Sequence, residues 1–501
     1  MNTRYLLLVI TVLVFLGFAS CKKFLDIKPK GNVIPETVDH YEGMLNNVIQ
    51  GYFCHFQDYL SDDAALPSDG SGSATDLYMS ANPNGMNHVV RRIFKFNPVP
   101  FEAVDSDMMW TQTHRSILHF NTVIEYVMTS EGGTEAKKRS LRAEALLQRA
   151  IDFYGLVNIY ARHYDATTAA TEPGVPMFLH PDVTTSVPRS TVKEVYDRIL
   201  DDVEQALPDL PQTPVLGKFR ASYPGAIAFL ARVHLTMGNY ETALEYADEA
   251  LGYNSTLVDL NGQKIAPVDP PSPYTGLSGL SVDWVLNLDN SPVPNANEHP
   301  ETILARTFVS PYGLGTAANV CMSEELRELF DQANDKRYQF WYASGRPSIN
   351  CEQLYGLKIR LRGDQFNIGP GTAEMYLIRA ECNARAGQLQ AALDDVNDLR
   401  EKRFTTGTIV DKTLADCGND AFEVLKFVLE ERRRELAFMG FRVTDLKRLN
   451  KDADSRLHKT VTHVTPEGTF TLVPNSNKYL RQLYPGATIY HPDWELNPIT
   501  D

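Results

Sequence analysis

The chain has 501 residues, of which 43% are hydrophobic and 10% aromatic, so it can bury a large core and is not a disordered polypeptide. Its formal net charge is -15. Nucleic acid is excluded as a partner class, because neutralising phosphates requires clustered Lys and Arg.

The N-terminus has the pattern of a bacterial lipoprotein signal. Arg4 is followed by an apolar run from Tyr5 to Ala19, and small residues then lead into Cys21. About 15 apolar residues are too few to cross a hydrocarbon core of about 30 Å, but they suit a signal peptide. We predict cleavage of residues 1–20 and lipidation of Cys21, whose acyl chains would hold the protein on a membrane. An uncleaved anchor or a buried first helix are the alternatives.

The number and spacing of the other cysteines predict neither a disulfide framework nor a zinc site. Five remain after Cys21, an odd number, and none shows the paired spacing of a zinc site: Cys54, Cys321, Cys351, Cys382 and Cys417. We expect them to be mostly small core residues.

The clearest internal organisation is a repeat. Residues 224–251 have the spacing of a tetratricopeptide helix-turn-helix, with the turn at Gly238, where a helix can end in a positive-φ conformation. A second copy, 149 residues further on, predicts another pair near 372–403 with Gly387 at its turn. Cys382 falls inside the first helix of this copy.

Two further segments predict diverged helix pairs, near 141–207 and 422–449. In the first, Thr191 and Glu194 predict a capping box, since each can satisfy a free N–H at the helix start. In the second, Glu430 lies four residues before Arg434, and Arg442 three before Asp445, which predicts ion pairs along one helical face. A phosphate or carboxylate site is the alternative for these charges. At the start of the pair near 372–403, Thr372 is predicted as the N-cap of the helix that follows it.

Motifs along nearly the whole chain resemble the SusD/RagB family of Bacteroidetes outer-membrane lipoproteins. Two positions depart from the family pattern: Met439 replaces a frequent acidic residue, and Leu496 replaces a glutamine. The motifs that carry the resemblance are Cys21 with Lys22-Lys23-Phe24-Leu25-Asp26, Ser61-Asp62-Asp63, the Trp110 helix, Gly174-Val175-Pro176, Thr191 to Tyr196, Glu374 to Glu381, Glu431 to Arg448 and Asn497-Pro498.

The resemblance implies a mainly α, SusD-like fold in which tetratricopeptide-type helix pairs scaffold long irregular ligand-binding loops. Residues 21–501 would form a single domain. It further implies a cell-surface receptor without enzymatic activity, which binds an oligosaccharide or a peptide and delivers it to a SusC-like, TonB-dependent transporter. The protein would be anchored in the outer membrane through its N-terminal lipid.

Two long loops, near 62–100 and 253–311, are the predicted ligand region, because loops of this length in a helical domain are usually functional. Sugar recognition needs an aromatic face against the apolar face of a pyranose, flanked by polar groups. The candidates are Trp284, Tyr274, Tyr312 and Tyr78 for stacking, and Asp69 and Asn84 for hydrogen bonding. A loop aromatic can instead be a local hydrophobic anchor. Trp110 and Trp494 are predicted to be structural, and Trp341 receives no assignment.

No cofactor is predicted. Asp58, Asp62, Asp63 and Asp69 supply the oxygen donors that calcium prefers, which leaves a structural calcium ion open, although no twelve-residue calcium loop is present. The motifs of zinc proteases, serine hydrolases and dinucleotide enzymes are absent. Since a glycosidase needs only two facing carboxylates, a lipid-anchored secreted glycoside hydrolase is the alternative function. A scaffold that binds only protein is a third.

Overall fold

Helices dominate the computed structural model, which describes residues 35–46, 55–66, 88–182, 184–267, 284–288, 296–308, 320–341, 343–344, 353–354 and 366–501. The mainly α prediction is therefore confirmed. The α-helices within these ranges are α1 (Val38–Asn46), α2 (His88–Phe94), α3 (Met108–Tyr126), α4 (Glu135–Tyr160), α5 (Val192–Ala206), α6 (Tyr223–Met237), α7 (Tyr240–Tyr253), α8 (Glu324–Glu328), α9 (Lys336–Trp341), α10 (Thr372–Arg385), α11 (Leu389–Glu401), α12 (Ala421–Leu436), α13 (Arg442–Leu449) and α14 (Pro485–Thr488).

The two copies of the repeat fold in the same way. Helices α6 and α10 begin at Tyr223 and Thr372, and α7 and α11 begin at Tyr240 and Leu389, so both offsets are 149 residues. The turn glycines have φ angles of 79° at Gly238 and 78° at Gly387. Only glycine adopts this left-handed conformation without a steric cost, which is why each pair turns there.

Contacts between successive helices join the pairs into a stack. Helices α4 and α5 pack against each other, as do α6 and α7, and α10 and α11. Helix α7 also contacts α10, and α10 contacts α12, so the second copy is wedged between the first copy and the C-terminal helices. Cys382 on α10 is 1% exposed, in agreement with its predicted place in the core.

The helix starts test the capping predictions. Thr191 Oγ1 accepts from the Glu194 amide at 3.2 Å and Glu194 Oε2 accepts from the Thr191 amide at 2.8 Å, which confirms the capping box. The N-cap of α10 was wrong by one residue, because Gly371 occupies it and Thr372 is already helical. A Cβ at position 371 would lie 3.0 Å from the Glu301 carbonyl oxygen, so a side chain there would require the neighbouring backbone to shift slightly.

Short antiparallel strands close the loops between the helices. The longest described strand pairs join Val461–Thr465 to Gly468–Leu472 and Gln263–Pro267 to Trp284–Leu288. The strands in chain order are β1 (Ala64–Ala65), β2 (Pro173–Pro176), β3 (Arg189–Thr191), β4 (Gln263–Pro267), β5 (Trp284–Leu288), β6 (Thr307–Phe308), β7 (Cys321–Met322), β8 (Ala343–Ser344), β9 (Gln353–Leu354), β10 (Phe366–Asn367), β11 (Val461–Thr465) and β12 (Gly468–Leu472).

The main apolar core runs through the helical stack and includes the C-terminal tail. Trp110 on α3 and Trp494 in the tail are both buried, and their ring centroids lie 5.9 Å apart. The indole Nε1 of Trp494 donates to the Val187 carbonyl oxygen, which ties the tail to the body. Both tryptophans are therefore structural, as predicted. Across the described ranges, no helix is both long enough and apolar enough to cross a bilayer.

The charges of α12 and α13 form ion pairs, but the predicted partners were wrong. Arg434 binds Glu431 at 2.7 Å rather than Glu430. Asp445 binds two arginines, Arg432 at 2.9 Å and Arg448 at 2.8 Å. Glu431–Arg434 and Asp445–Arg448 are each three residues apart on one helix, so pairs do form along the helix but between other members than predicted. Arg432–Asp445 joins α12 to α13, which the spacing along one helix cannot indicate.

The aspartates considered for calcium are bound to the chain instead. Asp62 accepts from Arg442 at 2.7 Å, and Asp63 accepts from Arg433 at 2.6 Å. Asp58 Oδ1 accepts from the Gly440 amide at 3.0 Å. These oxygens hold α12, α13 and the turn between them against the N-terminal part of the chain. Asp69 lies outside the described residues.

Candidate functional site

Two adjoining pockets lie where three separate parts of the chain meet: residues 296–306, residues 366–371, and the turn 437–441 between α12 and α13. The Trp341 pocket has a volume of about 120 Å³ and the Arg306 pocket about 70 Å³. Met439 and Phe441 line both of them. The turn therefore forms the partition of a shared cleft.

This turn has an unusual backbone. Helix α12 ends at Leu436, and both Phe438 and Gly440 then adopt left-handed conformations, with φ angles of 57° and 76°. For an aromatic residue this costs about 1–2 kcal/mol. Burial of the Phe438 ring, which is 3% exposed, and the hydrogen bond from the Gly440 amide to Asp58 offset that cost. The result is that Met439 and Phe441 both reach the pockets.

The Trp341 pocket combines aromatic and apolar walls with carboxylates. Trp341 and Phe441 provide rings, and Leu436 and Met439 provide aliphatic surface. Thr302 and Asn367 add polar groups, and burial lowers the pKa of His299 on its rim, which favours the neutral imidazole. An aromatic face with a few polar neighbours is the type of lining that binds small ligands.

Each carboxylate of this pocket is held by arginine. Glu374 accepts from Arg232 at 2.6 and 2.8 Å. Glu301 accepts from Arg403 at 2.8 Å, and Glu435 accepts from the same arginine at 2.9 Å. Because the guanidinium groups compensate these charges, the carboxylates are suited to orienting a ligand rather than to transferring protons.

The Arg306 pocket is the more polar of the two. Helix α4 contributes Tyr154 and Asn158, and the opposite side carries Arg232 and Arg306. Arg232 lies 4.8 Å from the centre of the Phe441 ring, so its pair with Glu374 runs through the partition between the pockets. The Arg306 side chain is only 6% exposed.

Close backbone packing holds the cleft together, which leads to a test at Gly369. A Cβ there would lie 2.0 Å from the Leu304 carbonyl oxygen. Gly369→Ala must separate residues 303–306 from residues 367–371, and should lower the free energy of unfolding by about 2–3 kcal/mol in urea denaturation. Gly252→Ala is the matched control, since Gly252 lies in α7 with no atom within 4 Å of its Cβ position. That variant should be neutral or slightly stabilising; an equal loss in both would contradict the packing argument.

Most of the predicted ligand residues lie outside the described part of the chain: Tyr78, Asp69, Asn84, Tyr274 and Tyr312. The same holds for Cys21. Trp284 begins strand β5, opposite Pro267, and its side chain is also outside the description. The ligand assignments of these residues stay predictions.

The described end of the second predicted loop does reach the cleft. His299, Glu301 and Thr302 line the Trp341 pocket, and Arg306 lines the other. Four pocket residues were not predicted from the sequence: Arg306, Trp341, Met439 and Phe441. One signal was available: Arg306 ends the apolar run Ile303-Leu304-Ala305, where a buried charge is unexpected.

Two family profiles match the chain. One, described as starch-binding and associating with the outer membrane, matches residues 23–235, and the other, described as the SusD family, matches residues 372–497. The chain belongs to the SusD/RagB family. Among curated proteins, SusD-like protein P38 of Formosa agariphila is 27% identical over 324 residues. That alignment covers 56% of this chain and 62% of the relative.

Solved structures show the same fold. A SusD superfamily protein from Bacteroides thetaiotaomicron superposes with a TM-score of 0.67 at 17% identity, covering 92% of this chain and all of the other. A SusD-like protein named as laminarin-binding superposes with a TM-score of 0.57 at 18% identity, covering 92% of this chain and 99% of its own. At such identities the likeness concerns the fold, and it agrees with the predicted SusD-like architecture.

Proposed function

We propose that this protein is a cell-surface lipoprotein that binds oligosaccharides and delivers them to a SusC-like, TonB-dependent transporter in the outer membrane. The observation that carries the proposal is the match of two separate segments to SusD family profiles, one of them described as starch-binding and outer-membrane-associated. The laminarin-binding neighbour supports a glycan as the ligand class.

The geometry of the cleft favours binding over hydrolysis. The carboxylates that line the Trp341 pocket are Glu301, Glu374 and Glu435, and all three accept hydrogen bonds from arginine. A glycosidase requires one carboxyl group that stays protonated long enough to act as an acid. In this pocket each of the three carboxylates is instead engaged by a guanidinium group.

Two assays on the same sample test the binding role. The mature protein is run in affinity electrophoresis against starch, laminarin and other soluble polysaccharides, and new reducing ends are measured in parallel. Retardation by at least one polysaccharide without new reducing ends is the expected result. Reproducible hydrolysis that a single carboxylate substitution abolishes would establish the glycosidase instead. Binding of peptides alone would replace the glycan as ligand.

Trp284→Ala should weaken glycan binding about tenfold, which corresponds to about 1.4 kcal/mol. The predicted cause is the loss of an indole face that stacks on the C–H face of a sugar ring. Isothermal titration calorimetry measures the change, with oligosaccharides derived from a polysaccharide that retards the protein. Tyr490→Ala is the matched control, because Tyr490 is an aromatic residue that is 81% exposed in the C-terminal tail, outside both pocket linings. Unchanged affinity in the Trp284 variant would remove this residue from the site.

The transporter partnership is tested by affinity purification. An epitope-tagged, lipidated protein is isolated from detergent-solubilised outer membranes, and co-purifying proteins are identified by mass spectrometry. A TonB-dependent barrel should be recovered in amounts comparable to the tagged protein. Recovery of the barrel from a protein that binds no glycan and no peptide would favour the scaffold role.

A further inference from the structure

Arg306 is a buried guanidinium that lacks partners for part of its hydrogen-bonding capacity. Its Nε and Nη2 atoms have no hydrogen-bond partner among the described residues, although 94% of the residue is buried. Arg232, which lines the same pocket, is bound by both oxygens of Glu374 and by the Ile368 carbonyl oxygen. The pocket therefore contains one compensated arginine and one that is not.

Asp152 is the acidic group whose charge acts on Arg306, but the two do not form an ion pair. Asp152 is 3% exposed, and its Oδ2 atom also lacks a hydrogen-bond partner in the described ranges. Burial raises the pKa of Asp152 to about 7, and the charge of Arg306 only partly opposes this rise. Near neutral pH this carboxyl is thus partly uncharged, and the charge of Arg306 is not fully cancelled.

An unsatisfied guanidinium in a protein interior is costly, and most buried polar groups have partners. The Nε and Nη2 atoms form the edge of the guanidinium that binds a carboxylate through two parallel hydrogen bonds. A volume of about 70 Å³ is roughly five times what one water molecule needs, which leaves room for a three-atom carboxylate. Both donor atoms are covered by the protein in this structure, so binding requires the Arg306 side chain to turn them towards this space. The adjacent apolar walls, Ile151, Phe229 and Phe441, strengthen such a bond by excluding water.

We propose that the Arg306 pocket binds the carboxylate of a uronic acid residue, so that the preferred ligand is an acidic oligosaccharide. This inference rests on the proposed glycan-binding function and names the ligand class for it. The net charge of -15 does not oppose it, because charges farther away than about 8 Å are largely screened at physiological ionic strength.

A pair of ligands that differ only at the carboxylate tests the inference on the unaltered protein. Oligogalacturonides are titrated calorimetrically beside the same oligosaccharides after complete methyl esterification, and alginate oligosaccharides serve as a second uronate. At least one free uronate series should bind 30-fold or more tightly than neutral laminarin oligosaccharides, and esterification should remove this advantage from the galacturonides. Binding of neutral oligosaccharides without any preference for uronates would overturn the inference and leave the proposed function intact. Binding of no glycan at all would instead overturn the proposed function.

Variants at position 306 show whether the Arg306 pocket is responsible for uronate binding. Arg306→Gln should weaken uronate binding at least 30-fold and change neutral-glycan binding less than threefold. Arg306→Lys keeps the charge but loses the two-donor edge, and should recover only part of the affinity. Arg456→Gln is the control, since Arg456 is exposed and lines neither pocket.

Thermal stability separates a ligand-binding arginine from a structural one. If Arg306 serves to bind the ligand, the Arg306→Gln protein should melt at or above the wild-type temperature, since the substitution removes an uncompensated charge. Loss of stability together with unchanged uronate affinity would show a purely structural residue and overturn the inference. If sulfated oligosaccharides bound more tightly than uronates in an Arg306-dependent manner, the carboxylate assignment would be wrong.

Discussion

Replacing Cys21 with serine should abolish lipidation and remove the protein from the outer membrane. A serine hydroxyl cannot form the thioether that carries the diacylglycerol. Each buried methylene contributes about 0.8 kcal/mol, and stable anchoring takes more than one acyl chain, so the loss of the lipid removes essentially all of the membrane affinity of the mature chain. The effect is expected to be nearly all-or-none.

Mass spectrometry of the N-terminal peptide and fractionation of the membranes measure this result. The wild-type peptide should begin at Cys21 with lipid on its sulfur and amine, and the variant should carry no lipid. Cys54→Ser is the matched control, since no signal-type segment precedes Cys54, and it should stay in the outer membrane. An acylated Cys21→Ser protein, or an unmodified wild-type N-terminus with an intact leader, would refute the lipoprotein assignment.

Replacing Arg337 with methionine should destabilise the fold by about 3–5 kcal/mol, the range measured when one partner of a buried ion pair is removed. Arg337 is fully buried. Its guanidinium binds Asp335 at 2.8 Å, Glu431 at 2.6 Å and Glu435 at 2.9 Å. Without it, three buried carboxylates lose a shared cation. Arg434 still pairs with Glu431, and Arg403 with Glu435.

The loss should depend on pH. Although burial alone would raise the pKa of Glu431, Arg337 and its neighbouring arginines hold it at about 2. A carboxylate with a lowered pKa stabilises the fold above about pH 4.5 and loses this contribution as the pH falls towards 2. The destabilisation by Arg337→Met should therefore be larger at pH 7 than at pH 4, where the carboxylates can take up protons.

Urea denaturation followed by circular dichroism at the two pH values measures both effects. Lys426→Met is the control, because Lys426 and Glu423 form a half-exposed pair at 3.9 Å. Such pairs contribute little, so the control should change the unfolding free energy by less than about 0.5 kcal/mol. An Arg337→Met protein as stable as the control would show that this network does not hold the fold together.

Local sequence patterns were enough for the helical scaffold. The repeat at 224–251 and 372–403 predicted helices that begin 149 residues apart, and the structure has both offsets. Thr191 and Glu194 predicted a capping box that forms. These predictions succeed because helix periodicity, glycine turns and caps depend on residues within a few positions of one another.

The candidate site was much less predictable. Arg306, Trp341 and Phe441 are more than 30 residues apart in sequence, and only the packing of α9, α13 and residues 296–306 brings them to one cleft. The ion-pair partners failed for a similar reason. Arg442 was assigned to Asp445 on its own helix, but it binds Asp62, 380 residues away.

The sequence by itself determined the family, the expected membrane anchor at Cys21 and the helix pairs, because each of these depends on a contiguous stretch of residues. Only the tertiary structure decided which charges of the described residues compensate each other and which buried polar groups lack hydrogen-bond partners. The buried guanidinium of Arg306 lies without a full set of partners because burial brings charges together from distant segments, and no local pattern determines which of them meet.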